Sequence, residues 1–187
     1  MSRVPRVDPV PHLAAVAAAM ARPDQPAATY AALDTALHAV LGHKLFTIMR
    51  YHAGTGESER VWTNRPAAYP VAGRKALNPT FWSSRVLEER RPYLGRTAAD
   101  IRSVFFDHEL IASLGCASVL NLPVVWNGRV LGTINLLHEA EWYDETDAAI
   151  GLTFAGLAVP ALTRAGSMTT VEIAHAGRLL GASASHW

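Results

Sequence analysis

Cysteine is nearly missing from this 187-residue chain: Cys116 is the only one. A single thiol closes no intrachain disulfide and builds no cysteine metal cluster, and nothing in the sequence points to an oxidising compartment. An excess of either charge is missing too. Seventeen Lys and Arg stand against sixteen Asp and Glu, a formal net charge of +1. With both signs mixed along the chain there is no electrostatic case for a nucleic-acid or anionic-membrane partner. No apolar run approaches the roughly 20 residues that span a bilayer. The Ala-rich N-terminal stretch is interrupted by Arg3, Arg6, Asp8 and prolines, which argues against a cleaved signal peptide. The expectation is a cytoplasmic protein. A phosphate loop is also lacking, because Gly54-Thr55-Gly56 is short and leads into a strand rather than a helix. No Ser-His-Asp spacing is present. His52, His138 and Glu139 fall at no metal-ligand spacing, and His138-Glu139-Ala140-Glu141 lacks the second histidine of a metalloprotease helix. No catalytic group, metal site or cofactor is therefore assigned.

What is present is apolar: half of the residues are hydrophobic, enough for one sizeable core. The strongest local signal lies between Gly115 and His138. Two apolar runs flank Asn127-Gly128, a dipeptide that tolerates the positive φ values of a type I′ hairpin turn. Along the first run Leu120, Leu122 and Val124 alternate with Val119, Asn121 and Pro123. Along the second Ile134 and Leu136 alternate with Thr133, Asn135 and Leu137. One face of this hairpin is uniformly apolar, and the other carries polar groups among apolar ones.

The flanking segments supply the remaining elements. Residues 1–10 read as an arm, and Pro11 opens a first helix bearing Leu13, Val16 and Met20. A second helix carries Leu33, Ala36, Leu37, Val40 and Leu41, with Thr29 as its cap and Gly42 at its end. Residues 44–52 and 59–63 form a hairpin, with Phe46 and Ile48 on one face and Leu45, Thr47, Met49 and Tyr51 on the other. Residues 64–75 read as a loop. Asn78-Pro79 starts a helix through Phe81 and Trp82 that Pro92 ends. Tyr93-Leu94 is a short strand. Thr97 with Asp100 makes a capping box, and Asp107 caps a turn closed by Gly115. Asp144 and Asp147 open a last long helix at the positive end of its dipole, and Pro160 kinks it. Residues 165–187 are a tail in which Val171, Ala174, Leu179 and Leu180 form a further short helix. Hairpins joined this way give an antiparallel sheet and an α+β class.

In this order the motifs resemble a GAF domain: Gly115-Cys116-Ala117-Ser118, Leu120, Leu122-Pro123-Val124, Asn127-Gly128, Val130 to Leu136, and Trp142-Tyr143-Asp144-Glu145. The likeness covers residues 29–164, leaving residues 1–28 as an arm and helix. It implies a central antiparallel sheet with the first and last helices on one face. On the other face, middle helices and loops would enclose a pocket for an unidentified small molecule. A mostly apolar hollow with a few polar groups is what such a pocket needs.

The candidate ligand-binding residues are Tyr51, Trp62, Trp82, Phe105, His108, Asn121, Thr133 and Asn135. For the two asparagines the alternative is bonding to neighbouring backbone or water. Branches of the family are tested on their own motifs. Free-methionine-sulfoxide reduction needs several cysteines and strand carboxylates, where this chain has Cys116, Val119, Asn135 and Leu137. Bilin attachment needs Cys followed by His, and here Ala117 follows Cys116. The cyclic-nucleotide pattern needs Lys after Asn, and here Leu136 follows Asn135. The expected function is a non-catalytic small-molecule sensor signalling through its terminal helices. The alternatives are a reductase of the sulfoxide type and an interaction module with a vestigial pocket. A homodimer is expected, with Leu13, Val16, Met20, Phe154 and Leu157 near the contact.

Overall fold

The computed structural model describes residues 7–77 and 79–163. The central hairpin forms as its sequence dictates. β5 (Ser118–Trp126) and β6 (Arg129–His138) pair antiparallel. Asn127 and Gly128 turn the chain at φ of 48° and 71°, the positive values of a I′ turn. β1 (Leu45–His52) pairs with β6 and with β2 (Glu57–Thr63). Two three-residue strands close the edges, β3 (Arg74–Ala76) against β2 and β4 (Tyr93–Gly95) against β5. The result is a six-stranded antiparallel sheet in the order β3-β2-β1-β6-β5-β4. β3 lies where the sequence reads as loop; three exposed residues carry no alternation to reveal it.

Seven helices surround the sheet in the described residues. α1 (Val10–Met20) and α2 (Ala27–Val40) precede it. Thr29 does not cap α2; it lies in the first turn, and its hydroxyl donates to Gln25 Oε1 at 2.6 Å. Gly42, at φ 76°, ends the helix, donating its N–H to Leu37 and His38 carbonyls. Thr80 caps α3 (Phe81–Ser83), which widens into a π-type turn over Ser84–Glu88. This start falls after Pro79, and Asn78 lies outside the described residues. The Thr97–Asp100 capping box opens α4 (Ala98–Val104) as read from sequence. Asp107 precedes α5 (His108–Ser113) without a side-chain cap bond, because its carboxylate accepts the Tyr69 hydroxyl at 2.7 Å instead. Asp144 and Asp147 cap α6 (Glu145–Leu157) reciprocally. Pro160 does not kink α6. The helix ends at Ala158, and Pro160 occupies the first turn of α7 (Val159–Thr163), where no N–H is needed. The expected tail helix lies outside the described residues.

Strand alternation divides the interior in two. Phe46, Ile48, Leu120, Leu122, Ile134 and Leu136 pack with α1, α2 and α6 through Val16, Leu33, Leu37 and Phe154. Each such side chain contributes about 1.5–3 kcal/mol on burial, so this face supplies most of the stability. The opposite face builds a smaller cluster from Leu45, Tyr69, Val86, Tyr93, Ile101, Val119 and Leu137. Val16 and Phe154 are fully buried within a single chain.

Candidate functional site

Between the second face of the sheet and the middle helices lies a cavity of about 760 Å³. Its floor comes from alternate residues of adjacent strands: Thr47, Met49 and Tyr51 of β1, Asn121 of β5, Thr133 and Asn135 of β6, Arg60 of β2. Trp82 and Phe105 contribute from the covering segments. Six of the eight residues expected at a site thus share its walls: Tyr51, Trp82, Phe105, Asn121, Thr133 and Asn135.

Trp62 and His108 do not line it. The pairing of β1 with β2 slips by one residue between Ile48 and Met49, so that Trp62 opposes Ile48 rather than Thr47. A one-residue slip moves a side chain to the other face of a sheet. Trp62 accordingly packs under the helices. Its indole donates to Asp34 Oδ2 at 2.9 Å, and its ring lies 6.2 Å from that of Tyr30. In the α5 segment the wall comes from Asp107, Leu110 and Ile111, which share one side of the turn; His108 projects about 100° away from Asp107.

The buried asparagines bond to each other and to neighbouring side chains rather than to backbone. Trp82 Nε1 donates to Asn121 Oδ1 at 2.9 Å. Asn121 Nδ2 donates to Asn135 Oδ1 at 2.7 Å, and Asn135 Nδ2 donates to Thr47 Oγ1 at 3.0 Å. The indole fixes the direction of the series, since it can only donate. Each amide must then turn its oxygen toward Trp82 and its nitrogen toward Thr47. The Thr47 hydroxyl accepts at the far end and retains its own proton to donate.

Arg60 is the wall residue that the sequence reading missed. Its guanidinium carbon stands 4.7 Å from the centre of the Tyr69 ring, and Nη1 donates to Pro70 O at 3.0 Å. Burial pulls its pKa below the usual guanidinium value, opposed by Tyr69 and Asp107. Burial and the bonded Asp107 carboxylate push the Tyr69 phenol well above its ordinary range. Strand parity could have found Arg60, because it opposes Met49 in the register. Nearby, Lys75 Nζ sits 3.0 Å from the centre of the Phe106 ring.

Among the described residues, no three His, Cys, Asp or Glu side chains come together to hold a metal.

No family model and no curated protein matches the chain. Solved structures do. The GAF domain of a phosphoenolpyruvate-protein phosphotransferase from Coxiella burnetii superposes with a TM-score of 0.68, over 84% of this chain and 94% of that one, at 16% identity. The corresponding Acinetobacter GAF domain gives 0.68 over 88% and 96%, at 11% identity. This chain has a GAF fold. A phycocyanobilin-bound GAF domain from a cyanobacterial phytochrome gives 0.66 over 84% and 95%, at 14% identity.

Within this GAF fold Cys116 is buried in the cluster beside the cavity but is not one of its walls. Desolvation raises its pKa, with Lys44 and Arg65 opposing, surroundings that disfavour the thiolate.

Proposed function

We propose that this chain is a sensor domain that binds a small molecule non-covalently in the cavity of its GAF fold and performs no chemistry on it. The observation that carries this reading is the directed series Trp82–Asn121–Asn135–Thr47 along the cavity floor. Each amide in it has its oxygen and one of its hydrogens bonded at rest, so the series holds its direction without a ligand. The Thr47 proton and the remaining amide hydrogens are left to orient a ligand against the apolar walls supplied by Trp82, Phe105 and Leu137. The phytochrome relative binds phycocyanobilin. Here the lone thiol lies away from the walls, which supports reversible binding rather than attachment. The same placement disfavours a thiol-based sulfoxide reductase.

The signal would leave through the helices. Asn135 faces the cavity while Ile134 and Leu136, its neighbours in sequence, pack in the core with α2 and α6.

Native mass spectrometry of the freshly purified protein tests the reading. The expected result is a non-covalent adduct of small-molecule mass that disappears on denaturation and is reduced in Asn135→Leu. Protein that carries no adduct and acquires none from a metabolite extract would favour a vestigial cavity. Turnover of free methionine sulfoxide with a thiol reductant, abolished in Cys116→Ser, would overturn the non-catalytic reading.

A further inference from the structure

The cavity walls carry four cationic residues, Arg50, Arg60, Arg74 and Lys75, and one carboxylate, Asp107. Two of the cations are answered. Arg50 lies 3.8 Å from Glu59 and Arg74 lies 3.9 Å from Glu57. Asp107 is already engaged by the Tyr69 hydroxyl. Arg60 and Lys75 have no carboxylate within ion-pair distance among the described residues.

Arg60 is the more informative of the two. Its Nε is buried and makes no hydrogen bond. A buried donor left unmade is costly, and far more so on a charged group. The only other buried side-chain nitrogen or oxygen in this state, among the described residues, is Arg50 Nε. That guanidinium interacts with Tyr30 and Glu59 on the helix-covered side. The commitments of Arg60 are also specific. Stacking on Tyr69 fixes the guanidinium plane, and the bond to Pro70 O uses Nη1. Nη1 is the terminal nitrogen beside Cδ. Its use leaves intact the opposite edge, where the Nε and Nη2 hydrogens run parallel. That edge matches two oxygens of one oxyanion.

Resting on the sensor reading above, we propose that the ligand is a small organic anion. Its carboxylate or phosphate head takes an Nη2 hydrogen of Arg60 first, and a small shift of the side chain then brings the shielded Nε–H to the second oxygen, with Lys75 nearby. Its apolar body lies against Trp82 and Phe105, and an acceptor group takes the Thr47 hydroxyl proton. The Tyr69–Asp107 bond is then a positioning device: it holds the ring on which the guanidinium is stacked.

Three probes of one shape separate charge from fit: phenylacetate, phenyl phosphate and neutral phenylacetamide. Each is titrated into the full chain and followed by the indole N–H of Trp82 and the Nε–H of Arg60 in proton–nitrogen correlation spectra. At least one anion binds at least about tenfold more tightly than the amide. Whichever anion is preferred identifies the head group. Only the anions move the Arg60 Nε–H downfield. Arg60→Gln removes the advantage of the anions and leaves phenylacetamide binding unchanged; Arg60→Lys keeps the charge, loses the paired edge and falls between. Lys75→Gln, which leaves the Tyr69 stack untouched, weakens the anions by about threefold. Equal binding of amide and anions, or an anion advantage that survives Arg60→Gln, overturns the proposal while leaving the cavity reading standing. If no probe of either charge moves the Trp82 indole, the cavity reading falls and the anion proposal falls with it.

Discussion

The hydrogen-bonded series on the cavity floor makes a quantitative prediction. Asn121 is 2% exposed, accepts from Trp82 and donates to Asn135. Asn121→Ala removes two bonds at once and strands the indole N–H at one end and the Asn135 carbonyl at the other. Each bond is worth about 1 kcal/mol, and each stranded group costs about 1–3 kcal/mol where water does not reach it. Because the series borders a cavity, the lower end applies, and the expected loss is about 2–4 kcal/mol. Trp82→Phe removes the donor and strands Asn121 Oδ1, for about 1–2 kcal/mol. In the double variant the broken Trp82–Asn121 bond is counted once, not twice. Urea denaturation of the wild type, the two single variants and the double variant therefore yields a coupling energy of about 1–2 kcal/mol. A further cycle between Asn121→Ala and Thr47→Val, whose side chains are joined only through Asn135, gives a smaller but measurable coupling if the series is cooperative. Additivity within about 0.5 kcal/mol in the first cycle would refute the reasoning, since independent sites behave that way.

Other consequences are as open to measurement. A Cβ at Gly132 would run into the Met49 carbonyl oxygen of the adjacent strand, so Gly132→Ala must part β1 from β6 and costs about 3 kcal/mol or more in denaturant unfolding. Gly156, exposed near the end of α6 with nothing near its Cβ position, gives the opposite sign: Gly156→Ala stabilises by about 0.5–1 kcal/mol. His138 stacks on Trp142 at 3.5 Å and accepts the Glu139 N–H on Nδ1 at 2.8 Å, and burial holds its pKa down to about 4. The unfolded chain, with His near 6.5, binds more protons between those values, so stability falls as pH drops from about 6.5 to 4. After allowance for partial solvent screening the loss is about 1–2 kcal/mol, and His138→Phe removes that component of the pH profile.

How far the sequence reveals this molecule depends on local alternation. The Asn127-Gly128 turn and the Leu–Asn alternation beside it are strong period-two signals, and both central strands adopt the expected faces. Phe46 and Ile48 are divided from Thr47, Met49 and Tyr51 in the same way. Trp62 shows where such reading stops. Counting back evenly from the turn at residues 53–56 places it opposite Thr47, on the cavity side. One extra residue in β2 reverses that, and no local feature of Val61-Trp62 announces the slip. β3 is too short to show a period. The role of Asp107 depends on Tyr69, 38 positions away, a pairing that only the assembled fold creates. Arg60 escaped notice for a related reason: a charged residue in a short strand reads as a solvated face until its neighbours are known.

The alternation along β6 has one last implication. Asn135 and Leu136 are adjacent links of a single backbone, the first exposed to whatever enters the hollow and the second wedged among the helices. Side chains on opposite faces of a strand share a main chain with little slack, their anchor points only about 3.4 Å apart along it. If a ligand engages Asn135 as proposed, a tug on the amide would reach the α2–α6 layer as a tilt of the strand, with no hinge, lid or relay between them. On the sensor reading proposed above, the wall that feels the guest would also be the lever that moves the helices.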